Sequence, residues 1–219
     1  MSKTDLQLKH DIEEELSWDP RVNSAQVGVS VDKGAVSLVG RVDTYPEKLA
    51  AEQAAQRVSG VRTVAQTLTV KVLPAHERSD ADIADAVQNA LMWDVAVPSG
   101  VAVSVQLGCV ELTGQVAWNH QRTAAEQAVR NLVGVVNISN AITLLPHAAP
   151  RQVKQNVHAA LHRQGIADAK AIHVEESDGK VTLTGYAPFW QAIQDAANAA
   201  WAAPGVTHVV DRVKLSSKH

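Results

Sequence analysis

Few of the 219 residues combine type and spacing in a way that supports chemistry. His158 and His162 lie four apart in QVKQNVHAALHRQG, the spacing at which two imidazoles share a helix face and hold a metal. Glu175 and Glu176 follow later in the same third of the chain. Val153, Val157 and Leu161 take the apolar face of that helix, so the histidines read as solvated or interdomain residues and no metal is expected. Cys109 is the only cysteine, has no base near it in sequence and reads as structural. Alone, it rules out an internal disulfide and a Cys-based zinc or iron–sulfur site within one chain. HExxH, a glycine-rich phosphate loop and GxSxG are all missing, so no catalytic residue and no cofactor is assigned. Without a nucleophile, base and electrophilic stabiliser at motif spacing, the chain is not expected to be an enzyme.

Binding is better served. VDTYPEK, VAWNHQR and YAPFWQA present Tyr45, Trp118, Phe189 and Trp190, with Arg41, Lys48 and Arg122 close by. Aromatic residues at a loop and helix start insert at a lipid interface or anchor a protein contact, and the cations suit phosphate. The competing expectation is that the rings cap the core or bury against a neighbouring domain. Thr44 with Glu47 fits a capping box, which accounts for part of the first loop without a ligand. Trp18 and Trp93 recur in LSWDP and LMWDV, which suggests a repeated structural task, whereas the third copy has LHRQG there and carries Trp201 in its second helix.

These residues are positioned by a repeat. GAVSLVG (34–40) recurs as GCVELTG (108–114) and GKVTLTG (179–185), at offsets of 74 and 71, and the same offsets carry Gly60-Val61 onto Gly134-Val135 and Gly205-Val206. Each copy opens with a helix whose apolar face is Leu8, Ile12 and Leu16, then Ile83, Val87 and Leu91, then Val153, Val157 and Leu161. Asp5 and Asp80 are placed to cap it, with Pro150 near the first turn of the third. A hairpin turning at Gly34, Gly108 or Gly179 follows, then an alanine-rich helix expected to end in a left-handed cap at Gly60, Gly134 or Gly205, then a closing strand. Gly40, Gly114 and Gly185 are expected to supply backbone geometry at a strand end rather than to bind a ligand. The fold class expected is α+β: three tandem two-layer sandwiches, each α-β-β-α-β with a three-stranded sheet and two helices on one face. LPAHERSD (73–80) and LPHAAP (145–150) mark the linkers, which gives domains at 1–73, 79–145 and 149–216.

The LxG turn, alanine-rich helix, G-V step and valine-rich strand, repeated three times without a gap between the landmark glycines, resemble the BON domain. This is a bacterial module of osmotically inducible periplasmic proteins, secretins and some mechanosensitive channels. The resemblance implies a non-enzymatic module that binds phospholipid membranes or other envelope components, in osmotic or general stress. The alternative is an intracellular protein-interaction scaffold or chaperone-like protein without a lipid role.

Composition agrees with a folded soluble protein: 46% of residues are apolar and 20% charged. Residues 1–72 carry nine cations and ten carboxylates, 73–148 three and seven, and 149–219 eight and six. That pattern counts against nucleic acid and makes the last third the first choice for an anionic partner. No run of 18 apolar residues spans a membrane, and MSKTDLQLKHDIEEEL does not have the order of a signal peptide. A cytoplasmic location is therefore expected, with the periplasm of many relatives as the alternative. Partners are an anionic phospholipid surface, an envelope protein or another protein.

Overall fold

The computed structural model describes residues 3–145, 155, 157, 159, 172–177, 179–187, 190–203 and 205–216. The first repeat runs α1 (Asp5–Trp18), β1 (Val27–Asp32), β2 (Ala35–Val42), α2 (Tyr45–Arg57) and β3 (Thr63–Val70). The second runs α3 (Asp80–Trp93), β4 (Val101–Gln106), β5 (Cys109–Val116), α4 (Asn119–Val129), then β6 (Asn137–Asn140) and β7 (Thr143–Leu144). The third shows β8 (Ile172–Ser177), β9 (Lys180–Ala187), α5 (Trp190–Trp201) and β10 (His208–Leu215). Its expected first helix lies mostly outside the described residues, although Val157 is helical and fully buried. By internal packing the chain divides into two compact units, Met1–Val97 with Ala102–Thr113 and Ala125–Ala141, and Pro98–Val101 with Gly114–Ala124 and Ile142–His219.

The sheets repeat one plan. β2 pairs antiparallel with β1 and parallel with β3, and β9 does the same with β8 and β10. The second repeat departs from the expected three strands: its closing strand is split, with Cys109 to Leu112 opposite β6 and Gln115 and Val116 opposite β7. Alternation sends one side of each strand inward. Val27, Val29, Val36, Leu38, Leu68 and Val70 meet Leu8, Ile12 and Leu16 of α1 and Ala51, Ala54 and Ala55 of α2. Val174, Val181, Leu183, Ala196, Ala199 and Ala200 form the corresponding core of the third repeat. The alanines are what let the second helix of each repeat lie close to its sheet.

Three local devices differ from the sequence expectation. Thr4 and Ser79, not Asp5 and Asp80, are the N-caps, each completing a capping box with Gln7 or Asp82. Asp5 and Asp80 act instead on the hairpin tips. The Asp5 carboxylate accepts from the Lys33 and Gly34 amides at 2.8 and 3.1 Å, and Asp80 accepts from Leu107 and Gly108 at 2.8 and 2.9 Å. Both tips are two-residue turns with positive φ at each centre, 49° and 78° then 51° and 73°, which point two amides toward one acceptor. In the third repeat the Gly179 amide donates to Glu176.

The G-V glycines do not cap α2 or its equivalents. α2 ends at Arg57 with Val58 extended, and Gly60 occupies the third position of a turn closed by Val61 N to Val58 O, with φ +105°. Gly40 has φ +139°, and a Cβ there would collide with the Gln26 carbonyl; Gly114 meets the Gly100 carbonyl in the same way.

Because Asp80 satisfies two amides that no strand can pair, Asp80→Ala should lower stability by roughly 1–2 kcal/mol and Asp80→Asn, which keeps one acceptor oxygen, by less. Urea unfolding midpoints of the two variants would measure this, and equal losses would show that the carboxylate's second oxygen is idle.

Candidate interaction surfaces

The residues singled out as a binding surface receive several different environments. Tyr45 is only 7% exposed, and burial, followed by the carboxylates of Glu126 and Glu52, pushes its phenol above the usual range. It is a packing residue, because the first turn of α2 faces its neighbours rather than water. Trp190 is half-buried against Ala187, Ala192 and Ile193, and its Nε1 is buried without a hydrogen-bond acceptor. The Arg122 guanidinium lies 4.5 Å from the centre of the Trp201 ring, so its charge faces an aromatic face of its own chain rather than a phosphate. Lys48 is half-buried, Arg41 is exposed and Trp118 is 42% exposed. Phe189, His158 and His162 lie outside the described residues.

Loop positions are held by the third residue of each helix. Thr44 accepts from the Glu47 amide as the sequence predicts, but the Glu47 carboxylate reaches Asn23 N and Asp43 N, both at 2.8 Å. Gln121 repeats this in the second copy, its Oε1 accepting from Ala117 N and Trp118 N at 3.0 Å. The matching residue of the third copy is Ala192, which has no acceptor.

Cys109 is exposed on the helix-free face of β5, in a shallow depression of about 400 Å³ with Ser104, Gln106, Glu111, Asn137 and Ser139. No histidine, lysine or arginine lines it. Among the described residues no three His, Cys, Asp or Glu side chains are grouped to hold a metal, and no helix is long and apolar enough to cross a membrane.

Trp18 and Trp93 are where the structure most changes the picture. Their recurrence suggested a structural task, yet the rings are 79% and 82% exposed, and Met92 is 74% exposed beside Trp93. Helical geometry explains this: Leu16 and Leu91 end the buried stripe, and a residue two further on points roughly 200° away from it. Each ring sits at a fixed helix end. Asp19 accepts from Arg21 N, Nε and Nη2 at 3.1, 2.9 and 2.7 Å and from Arg57 Nη2 at 3.2 Å, while Arg57 Nε also pairs with Glu15 at 2.9 Å. The Asp19 side chain is 5% exposed, and the Arg21 hydrogen bonds hold its carboxyl far below the usual range against the opposing effect of burial. Asp94 has a simpler role, accepting from Ala96 N at 2.9 Å.

The chain belongs to the BON domain family, whose profile matches residues 4–72, 79–146 and 151–217. Members of this family are non-catalytic, and this protein is a non-enzymatic one. No curated protein matches it. Among solved structures it is similar to CdsD, a structural protein of the type III secretion system of Chlamydia trachomatis, at 18% identity over 94% of this chain and 91% of that one, TM-score 0.26. A C-terminal domain of CdsD is similar at 17% identity, covering 98% of this chain and all of that one, TM-score 0.27. The PrgH periplasmic domain is similar at 10% identity over 87% and 95%, TM-score 0.20. The expectation of a cytoplasmic location is corrected: it rested on the order of the residues after Met1 alone, which fixes no compartment. Likeness at these scores says nothing about assembly or partners.

Two measurements probe the contacts described. A double-mutant cycle of Arg122→Ala and Trp201→Leu should return a coupling of about 0.5–2 kcal/mol by thermal unfolding, whereas additive effects would mean the stacked geometry contributes nothing. For Asp19 the folded pKa is depressed, so its stabilisation is complete above its ordinary value near 3.8 and is lost as pH falls further toward the folded value. The stability gap between wild type and Asp19→Asn should therefore be constant at neutral pH and narrow in acid below about 4, in urea titrations across that range.

Proposed function

We propose that this protein is a binding scaffold that uses the exposed ends of its repeat helices to hold a protein partner, in the cell envelope. The observation that carries the reading is the pair Trp18 and Trp93: equivalent positions in two repeats, both about 80% exposed, both anchored at an ordered helix end. Exposed tryptophan on rigid structure is the characteristic anchor of protein contacts. Trp118 and Arg41 belong to the same reading as secondary contacts, and tandem units at 1–73, 79–145 and 149–216 would raise avidity where their faces engage one partner.

Electrostatics favours protein over an anionic bilayer along the length of these helices, with Arg21 and Arg57, paired to Asp19, the cations beside the α1 end. α1 carries Asp5, Asp11, Glu13, Glu14 and Glu15 against Lys9, and α3 carries Asp80, Asp82 and Asp85 with no lysine or arginine. Such helices are repelled by a negative surface, within the Debye length of about 8 Å at physiological salt. The osmotic-stress and phospholipid role implied by the family resemblance has no comparable support in these residues.

Site-specific photocrosslinkers at positions 18 and 93 test the reading in cells. Discrete protein adducts at both positions, with no co-sedimentation of the purified protein with phosphatidylglycerol-containing vesicles, are expected. Vesicle binding that disappears in Trp18→Ala/Trp93→Ala, without protein adducts, would replace the scaffold with a lipid-binding role.

A further inference from the structure

One chain carries two exposed patches of opposite charge, each with an aromatic residue in it. The first is the C-terminal end of α3. Met92, Trp93 and Val95 are 74%, 82% and 104% exposed, the helix behind them bears Asp82 and Asp85 on its exposed side, and it contains no cation. The second is the helix-free face of the β8-β9-β10 sheet. Register places Tyr186 beside Lys214, and Thr184 between His173 and Arg212 in the next row. Lys180 lies beside His208 at the far end. Tyr186 is 58% exposed, and His173, Lys180, His208, Arg212 and Lys214 are all exposed, with Glu175 the carboxylate among them. Alternation fixes this orientation, since the residues between them, Val181, Leu183, Val209 and Val213, belong to the core.

The corresponding faces of the other two sheets lack this character. Ser30, Ser37, Thr67 and Thr69 occupy it in the first repeat, and Ser104, Glu111, Thr113 and Ser139 in the second. Small neutral side chains dominate there, with Arg41 and Lys71 at one end of the first and no cation among those of the second, so the third repeat carries the largest group of cations and the one exposed tyrosine. Both patches are exposed.

We infer that the α3 end of one copy docks on the β8-β9-β10 face of a second copy. This rests on the scaffold reading and names its partner at Trp93. Trp93 lies over the Arg212 and Lys214 cations beside Tyr186, in cation–π and edge contacts, while Asp82 and Asp85 oppose the remaining positive charge. Two different patches meet, so the interface is heterologous: association proceeds head to tail, and it closes into a ring or grows according to the rotation between copies. Opposite charge on exposed surfaces makes it salt-sensitive.

Sedimentation velocity and light scattering of the purified full chain test this across protein concentration and salt, with far-UV circular dichroism confirming that each variant is folded. Wild type should form concentration-dependent oligomers that weaken with added salt. Trp93→Ala and the pair Arg212→Glu/Lys214→Glu should each weaken association by about thirtyfold or more, the effect of losing an interface anchor. Each variant keeps the patch the other has lost, so mixing the two should restore a one-to-one dimer that cannot extend. Trp18→Ala should associate like wild type. A monomeric wild type, oligomers indifferent to both variants, or variants whose mixture stays monomeric would each overturn the inference. Protein adducts at positions 18 and 93 together with a monomeric wild type would overturn self-association while leaving the scaffold reading standing.

Discussion

The parallel pairing of the central strand with the closing strand is the constraint from which the rest of each repeat follows. An antiparallel neighbour is reached by a two-residue turn, as at Lys33-Gly34 and Leu107-Gly108, but a parallel one requires the chain to travel the length of the sheet and return. The crossover is α2, and because it must lie flat on the sheet, its inward face is Ala51, Ala54 and Ala55. α1 fills the remaining half of that face and sends Asp5 to the hairpin tip, so the first element of the repeat is tied to the turn of the hairpin it covers. The glycines serve the same geometry: Gly40 admits the Gln26 carbonyl against the central strand, and Gly60 turns the chain from the crossover into β3.

The third repeat keeps the sheet and its crossover helix and changes the polar ties. In the first two, the crossover helix meets the closing strand through Glu52 with Gln66 at 3.2 Å and Glu126 with Asn140 at 3.1 Å. In the third, the helix position is Ala197 and the strand position is Asp211, whose carboxyl is pushed up by burial while it accepts from Val213 N at 2.8 Å. Its hairpin amide is satisfied from within the strand by Glu176, and Ala192 replaces the loop-binding Glu47 and Gln121. These losses have a counterpart in the Arg122 guanidinium stacked on Trp201 and in the apolar cluster around Trp190, so packing takes over part of what hydrogen bonds do in the other copies.

Much of this was legible because a repeat supplies its own controls. Apolar spacing in three copies locates the strands and helices, and the glycine landmarks locate the turns, whatever each copy does locally. The polar devices were less legible for a physical reason. A carboxylate at the start of a helix has several backbone amides within reach, and only the three-dimensional closeness of the hairpin tip shows that Asp5 and Asp80 serve it while Thr4 and Ser79 cap the helix. The split between β6 and β7 also has no marker in a segment whose apolar residues keep their expected places. The aromatic loop residues show the limit from the other side. Tyr45 and Trp118 occupy matching positions to within one residue in sequence, yet one is buried and the other 42% exposed, because exposure depends on what the neighbouring elements cover.

Trp18 and Trp93 reverse that lesson. Their exposure follows from helix phase alone once Leu16 and Leu91 are recognised as the last residues of the buried stripe. A side chain of this size left in water gains nothing for the fold, and the same choice at two equivalent helix ends is not a packing accident of one loop. The acidic helices that carry the rings then restrict what can cover them. A surface that meets them must supply apolar area and tolerate or match negative charge, which an anionic bilayer does poorly and a protein face such as the cationic β8-β9-β10 sheet does well. The proposed contacts therefore lie on the outer sides of elements whose inner sides are closely similar, where nothing in the core constrains the sequence.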